Sequence, residues 1–247
     1  MTEQSVLITG GTSGIGRATA ELLHERGVRV MVTGSSDDSV AAARAQLPEE
    51  ILVVRADTAS LEDTARVVQQ AEEAFGQLTG LFLNAGIFAG GPIEAVDEAT
   101  WDRLFQVNAK GQFFTLQKTL PLLGDGASVV VTVGIGATRG AAGIGVAAGS
   151  RGALLAMIPS FAVELAPRRI RVNAVSPGSI DTPIIAKTGL PPEQIDAVKQ
   201  GMAEGIPFQR LGEAREVATT VAFLLSDDAS YITGENIVVG GGAGLRI

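Results

Sequence analysis

Cysteine is absent from this chain of 247 residues, and His24 is its only histidine. The first absence excludes disulfides, thiolate zinc sites and a cysteine nucleophile; the second leaves little for any metal site. Aromatic residues are scarce, with one tryptophan, Trp101, and one tyrosine, Tyr231. Basic runs are missing as well. Lys and Arg number 19 against 27 Asp and Glu, a net charge of −8, so nothing tracks a nucleic-acid backbone and nucleic acid is not an expected partner. No stretch reaches the roughly 20 uninterrupted apolar residues of a membrane span. The start, Met1-Thr2-Glu3-Gln4, has no basic region leading into an apolar run. The expectation is a soluble, cytoplasmic protein that does not engage a membrane.

Glycine is plentiful, at 31 residues, and no shift in composition marks a linker, so one domain over residues 1–247 is expected. The chain is organised around Thr9-Gly10-Gly11-Thr12-Ser13-Gly14-Ile15-Gly16, which lies between the apolar run Val6-Leu7-Ile8 and a helical pattern beginning near Arg17. A strand that ends in a glycine turn and feeds a helix makes a phosphate cradle. Gly10 can take backbone angles closed to other residues, Gly14 lets the backbone approach a pyrophosphate, and Gly16 lets the helix lie close on its strand. Amides at the helix start, reinforced by the helix dipole, then face the anion.

Further strands are expected at Val28–Thr33, Ile51–Val54, Leu78–Leu83, Ser128–Val133 and Arg169–Val175. Helical patterns cover Ser39–Gln46, Leu61–Phe75, Thr100 toward Pro121, and, after the small residues of Ala147–Ala156, a stretch ending near Ala166. Alternating strands and helices with β-branched, apolar strands predict an α/β fold: a doubly wound parallel sheet of Rossmann type covered on both faces.

The order and spacing of several short motifs resemble the short-chain dehydrogenase/reductase family from one end of the chain to the other. They are Thr9–Gly16, Asp57 after the third strand, Asn84-Ala85-Gly86 after the fourth, Asn108 in the central helix, Arg171-Val172-Asn173 with Pro177-Gly178, Arg210-Leu211-Gly212-Glu213, and Tyr231-Ile232-Thr233-Gly234. The resemblance implies a nicotinamide dinucleotide bound by Gly10, Thr12, Ser13, Gly14, Ile15 and Gly16. Asp57 and Thr58 would lie at the adenine, Asn84, Ala85 and Gly86 along the ribose, and Pro177, Gly178, Ile180 and Thr182 toward the nicotinamide carboxamide. It also implies a mobile substrate lid at about 184–208, whose Ile184, Ile185, Leu190 and Met202 suggest an apolar ligand. Small residues Gly149, Gly152, Ala153 and Ala156 would let two copies of one helix approach closely, and a homotetramer is expected.

The cofactor can be argued physically. Enzymes that prefer NAD place a carboxylate at the end of the second strand, where it accepts from the ribose hydroxyls and repels a 2′-phosphate. Here that end reads Thr33-Gly34-Ser35-Ser36, with no acid until Asp37 and no Arg or Lys alongside. With Ser35 and Ser36 as donors, the reading favours NADP(H) over NAD(H).

The reaction machinery that the resemblance implies is a Tyr-x-x-x-Lys pair, a serine after the fifth strand and an asparagine in the central helix. Aligning Ser150-Arg151-Gly152-Ala153 puts Ala147 at the tyrosine, Arg151 at the lysine and Gly134 at the serine, and of the four residues Asn108 alone remains. A lost general acid costs roughly 10²- to 10⁴-fold in rate, and guanidinium, protonated at any working pH, clamps oxyanions but does not replace the acid. Thr132, Thr138 and Ser150 carry hydroxyls without an evident base; His24, Trp101 and Glu94 read as surface or packing residues. The expectation is an oxidoreductase with an atypical site, acting on a small, largely apolar carbonyl, imine or alcohol. The alternatives are a non-redox sensor, scaffold or enzyme of another class, a halohydrin-dehalogenase-like lyase, and a catalytically disabled variant of a reductase.

Overall fold

The computed structural model describes residues 4–184 and 191–245. The first half runs β1 (Ser5–Thr9), α1 (Gly14–Glu25), β2 (Arg29–Gly34), α2 (Asp37–Arg44), β3 (Leu52–Arg55), α3 (Leu61–Phe75) and β4 (Leu78–Leu83). The second runs α4 (Glu98–Phe105), α5 (Gln112–Thr119), β5 (Leu123–Thr132), α6 (Gly145–Leu165), β6 (Arg171–Pro177), β7 (Ile180–Asp181), α7 (Pro192–Glu204), β8 (Gly212–Glu213), α8 (Ala214–Leu225) and β9 (Asn236–Val239). Seven strands pair in parallel in the order β3-β2-β1-β4-β5-β6-β9. This is the expected doubly wound sheet in a single domain, and its winding reverses between β1 and β4.

Strand alternation sorts the core into two layers. Along β1, Val6 and Ile8 join an apolar cluster with α1, α2 and α8, whereas Leu7 joins the opposite one with α3, α5 and α6. Val30 and Val32 of β2 likewise part from Met31. Each fully buried aliphatic side chain contributes about 1.5–3 kcal/mol, so two-sided burial rather than helix propensity carries the fold. Helix α6 is long and apolar enough to cross a membrane by length and composition. Here it lays Leu154, Ile158, Ala162 and Leu165 on the sheet core.

Some boundaries differ from expectation. The central helix begins at Glu98 rather than Thr100, because the Asp97 carboxylate accepts from the Thr100 amide at 2.8 Å and caps it. It does not run on unbroken: a π-helical turn, Gln106–Gly111, separates α4 from α5. Strand β5 begins at Leu123, five residues before Ser128, with a register irregularity on β4 between Leu78 and Gly80. Edge strand β9 was not anticipated; at four residues its signal is short.

Strands β7 and β8 form a separate two-residue ladder, Ile180↔Gly212 and Asp181↔Glu213, which brings together the two ends of the segment holding α7. Lys199 on α7 donates to the Asp181 carboxylate at 2.8 Å. Of the apolar residues expected on a lid, Ile184 and Met202 are exposed; Ile185 and Leu190 lie outside the described residues.

Just past this ladder, the Glu216 carboxylate accepts from Arg210 at 2.7 and 2.8 Å and from the Glu213 amide at 2.7 Å. The Arg210 guanidinium first, and that amide second, hold its pKa down from the ordinary 4.5 to about 2. A depressed carboxylate stabilises the fold above its unfolded pKa and loses that contribution as pH falls toward the folded one. Thermal melts of the wild type and Glu216→Gln are therefore expected to lie farthest apart above pH 4.5 and to converge as pH approaches 2. Parallel curves through that window would contradict the assignment.

Candidate active site

At the β1–β4 switch the chain leaves β1 through the glycine turn and enters α1. Ser13, in extended backbone at the N-cap of α1, offers no side-chain cap, and the first turn holds no acid. Among the described residues the amides at this helix start thus have no side-chain acceptor, and the arrangement suits a diphosphate. The turn is held from beneath. The Asn84 side-chain amide donates to the carbonyls of Thr9 at 3.3 Å and Gly10 at 3.0 Å, while the amides of Asn84 and Ala85 both donate to the Thr9 hydroxyl at 3.0 Å. Gly16 is required by closeness: a Cβ there would overlap the Gly10 carbonyl and lie 2.7 Å from Asn84 Nδ2. Opposite the turn, a Cβ on Gly14 would lie 3.3 Å from Thr182, so the segment leaving β7 faces Gly14 across the cradle.

The other expected cofactor residues gather along the same carboxyl edge. Asp57 follows β3, its amide donating to Asp63 and its carboxylate accepting from the Ala59 amide; Thr58 beside it is buried. Gly178, after Pro177, donates to the Val239 carbonyl at 2.9 Å. Ser35 and Ser36 are exposed after β2, and Ser36 also caps α2 by accepting from Ser39. The sequence shows no cation beside these serines, but the sheet supplies one. Arg55 is the register partner of Gly34, and its Nε lies 3.4 Å from Asp37. Only the pairing of β2 with β3 reveals this neighbour.

The residues expected at the reaction end are brought together by α6, the π turn and the ends of β4 and β5. Asn108 is buried on the π turn, a feature often found at functional sites. Its Oδ1 accepts from the Ile87 amide at 2.9 Å, and its Nδ2 donates to the Ile87 carbonyl and to Ser150 Oγ, both at 3.0 Å. Arg151 donates from Nη1 to the Thr132 carbonyl at 2.8 Å and from Nη2 to the carbonyls of Ala85 at 3.1 Å and Asn84 at 3.4 Å. Burial pushes its guanidinium down to about 10, which leaves it cationic at neutral pH. Ala147 is buried one turn before Arg151. Gly134 has φ +92° and ψ 145°, backbone that any side chain would strain even though the space beyond is open.

None of the hydroxyls noted in sequence sits beside a base. Ser150 donates to the Ala147 carbonyl, Thr138 to the Ile135 carbonyl, and Thr132 to Asn84 Oδ1. Tyr231 is fully exposed beyond α8, Glu94 is exposed, and Trp101 is half-exposed and stacked on Phe105. His24 lies on the solvated side of α1, 3.9 Å from Glu50. Among the described residues no cluster of three or more His, Cys, Asp or Glu could hold a metal ion.

Comparison with known proteins agrees with this fold. A family profile described as enoyl-(acyl carrier protein) reductase matches residues 10–244. The chain is 35% identical over 251 residues to levodione reductase of Leifsonia aquatica, covering 98% of this chain and 94% of that one. The chain belongs to the short-chain dehydrogenase/reductase family. The crystal structure of levodione reductase superposes with a TM-score of 0.91 at 33% identity, over 98% of both chains. Cyclohexanol dehydrogenase of Acinetobacter sp. (strain SE19) is 37% identical over 247 residues, with 95% and 92% of the two chains covered. A blue fluorescent protein from a metagenomic library, solved in complex with NADPH, aligns at 30% identity with a TM-score of 0.89, over 98% of each chain. The relatives are dehydrogenases and reductases, which supports an oxidoreductase.

This short-chain dehydrogenase/reductase fits Arg151 into space that only a glycine leaves. A Cβ on Gly86 would overlap Arg151 Nη2 and approach Asn108 Oδ1 at 2.9 Å. Overpacking of this kind costs about 1–3 kcal/mol. Gly86→Ala is expected to destabilise by that amount in denaturant titrations, and by clearly less in an Arg151→Ala background. Additive effects in the double-mutant cycle would break the proposed coupling.

Proposed function

We propose that the chain is an NADP(H)-dependent oxidoreductase that works on a small, largely apolar carbonyl, imine or alcohol without a side-chain acid. The observation that carries this reading is the braced, uncapped glycine turn at the β1–β4 switch, beside which three backbone carbonyls fix the Arg151 guanidinium. Bound NADPH supplies a hydride. The chain's own part is to hold the cofactor through Gly10, Thr12, Ser13, Gly14, Ile15 and Gly16, with Asp57, Thr58, Asn84, Ala85, Gly86, Pro177, Gly178, Ile180 and Thr182 along its length. Arg151, cationic and fixed by three carbonyls, stabilises negative charge above it and keeps its proton. Asn108 positions the loop at Ile87 and the helix at Ser150. A substrate suited to this site needs little protonation, as an iminium or activated conjugated carbonyl does, or carries its own proton donor.

Gly134 favours divergence over simple disablement. Its φ of +92° means that a serine there requires a different backbone, so the glycine is more than a truncated serine. A second reading, a nucleotide-bound sensor, is favoured by the backbone and Asn84 partners of Ser150, Thr138 and Thr132, which leave no hydroxyl poised with a base. Segment 184–208 serves as the substrate lid. Val163 on α6 and Trp101 on α4 present apolar surface to solvent, and self-association into a homotetramer is proposed to cover it; a monomer in light scattering at micromolar concentration would contradict this.

Titration with NADPH and NADH, followed by nicotinamide fluorescence, tests the reading. Wild type is expected to bind NADPH, and Gly14→Ala to lose that binding, since φ +54° and the approach of Thr182 both oppose a side chain. Bound NADPH is expected to reduce an imine or activated carbonyl. The redox reading fails if it reduces none while a variant with Gly134→Ser, Ala147→Tyr and Arg151→Lys does. Binding of neither nucleotide would sink the cofactor reading as a whole.

A further inference from the structure

Which feature would read the 2′ position of the cofactor's adenosine is not visible in the glycine turn, where Ser13 is uncharged, nor in the sequence after β2. The sheet places a candidate there. Gly34, the last residue of β2, pairs in register with Arg55, the last residue of β3, and the Ala56 amide donates to the Gly34 carbonyl at 2.8 Å. On the other side of Gly34 stands Thr12: a Cβ at residue 34 would lie 2.5 Å from its methyl group and 3.0 Å from its hydroxyl. One open corner thus holds the Thr12 hydroxyl, the exposed Ser35 and Ser36, and the Arg55 guanidinium.

We propose that Arg55 is the specificity-determining cation of this corner, which releases Asp37 and takes the 2′-phosphate of NADPH. The proposal rests on the glycine turn being a nucleotide cradle. Arg55 is held loosely enough to change partners. Its Nε lies 3.4 Å from an Asp37 carboxylate that is 89% exposed, and its Nη1 lies 3.9 Å from Asp63. Exposed pairs of this kind contribute little in water. Asp63 is engaged elsewhere, accepting from the Asp57 amide and from Arg66 at 2.8 Å each. Arg66 also donates to the Arg55 carbonyl at 3.2 Å, which braces the backbone from which Arg55 extends. A guanidinium with its fork open suits a phosphate dianion, which it can grip through two parallel N–H donors.

Asp37 defines the rival arrangement. If Arg55 served only to orient Asp37, that carboxylate would accept from the ribose hydroxyls and the corner would select NADH. Two variants separate these outcomes, and both change exposed side chains.

Dissociation constants for NADPH and NADH, and for the fragments adenosine 2′,5′-bisphosphate and 5′-AMP, are measured on the full chain for wild type, Arg55→Gln, Arg55→Lys and Asp37→Asn. Arg55→Gln is expected to weaken NADPH and the bisphosphate by about tenfold or more. NADH and 5′-AMP should stay within about twofold, Arg55→Lys should restore part of the loss, and the wild-type preference should shrink with added salt. Asp37→Asn, by freeing the guanidinium, is expected to tighten NADPH. The assignment is overturned if Arg55→Gln leaves the NADPH-to-NADH ratio unchanged, or if Asp37→Asn weakens NADH and spares NADPH. If the wild type binds none of the four probes, the cradle reading falls and this assignment with it.

Discussion

The Thr9 hydroxyl and the Asn84 side chain together hold the fold's central crevice in shape. Between β1 and β4 the sheet changes its direction of winding, and the helices on either side draw the following loops apart. In that gap, four hydrogen bonds tie the end of β1 and its glycine turn to the loop after β4. Thr132 adds a fifth contact by donating to Asn84 Oδ1, which extends the clasp to β5. Asn84 thus braces the turn with its side chain while its backbone amide donates to Thr9 and its carbonyl accepts from Arg151. Removing that side chain would leave two carbonyls of a tight turn without their donor, a cost of about 1–3 kcal/mol for each buried group left unsatisfied.

The same economy governs the reaction end. Arg151 bridges the carbonyl ends of β4 and β5, so this cation is part of the scaffold. A charge drawn partly out of water needs hydrogen-bond partners, and here three backbone carbonyls accept from Nη1 and Nη2 without neutralising the charge. The result is a positive charge held in a fixed place at the strand ends. A lysine ammonium, a compact point charge, lacks the planar fork that reaches carbonyls of two strands at once.

Much of this was legible in the sequence, for identifiable reasons. The β-branched runs around Val6–Ile8, Val30–Val32 and Val129–Val131 alternate between core layers, so strand positions and the doubly wound sheet follow from composition and period. The glycine turn could be read because its requirements are local. What could not be read depends on neighbours distant in the chain. Arg55 comes opposite Gly34, the residue before Ser35, only because β3 pairs with β2, the carbonyl partners of Arg151 come from the ends of two different strands, and the π turn that places Asn108 leaves no mark in residue type. The backbone angle at Gly134 was equally hidden, since a glycine looks the same whether it fills a gap or holds an unusual turn. Segment boundaries slipped where a single cap decided them, as Asp97 does for α4.

The small ladder of β7 and β8 has a consequence for how the cleft could change over time. It fixes residues 181 and 213 side by side, so the chain between them begins and ends at one point. For a loop closed in this way, doubling the length adds only about 0.6 kcal/mol of closure entropy. The intervening segment can therefore lengthen, shorten or exchange its apolar residues with little penalty to the sheet. Ligand preference can drift on one side of the ladder while the core on the other side stays as it is.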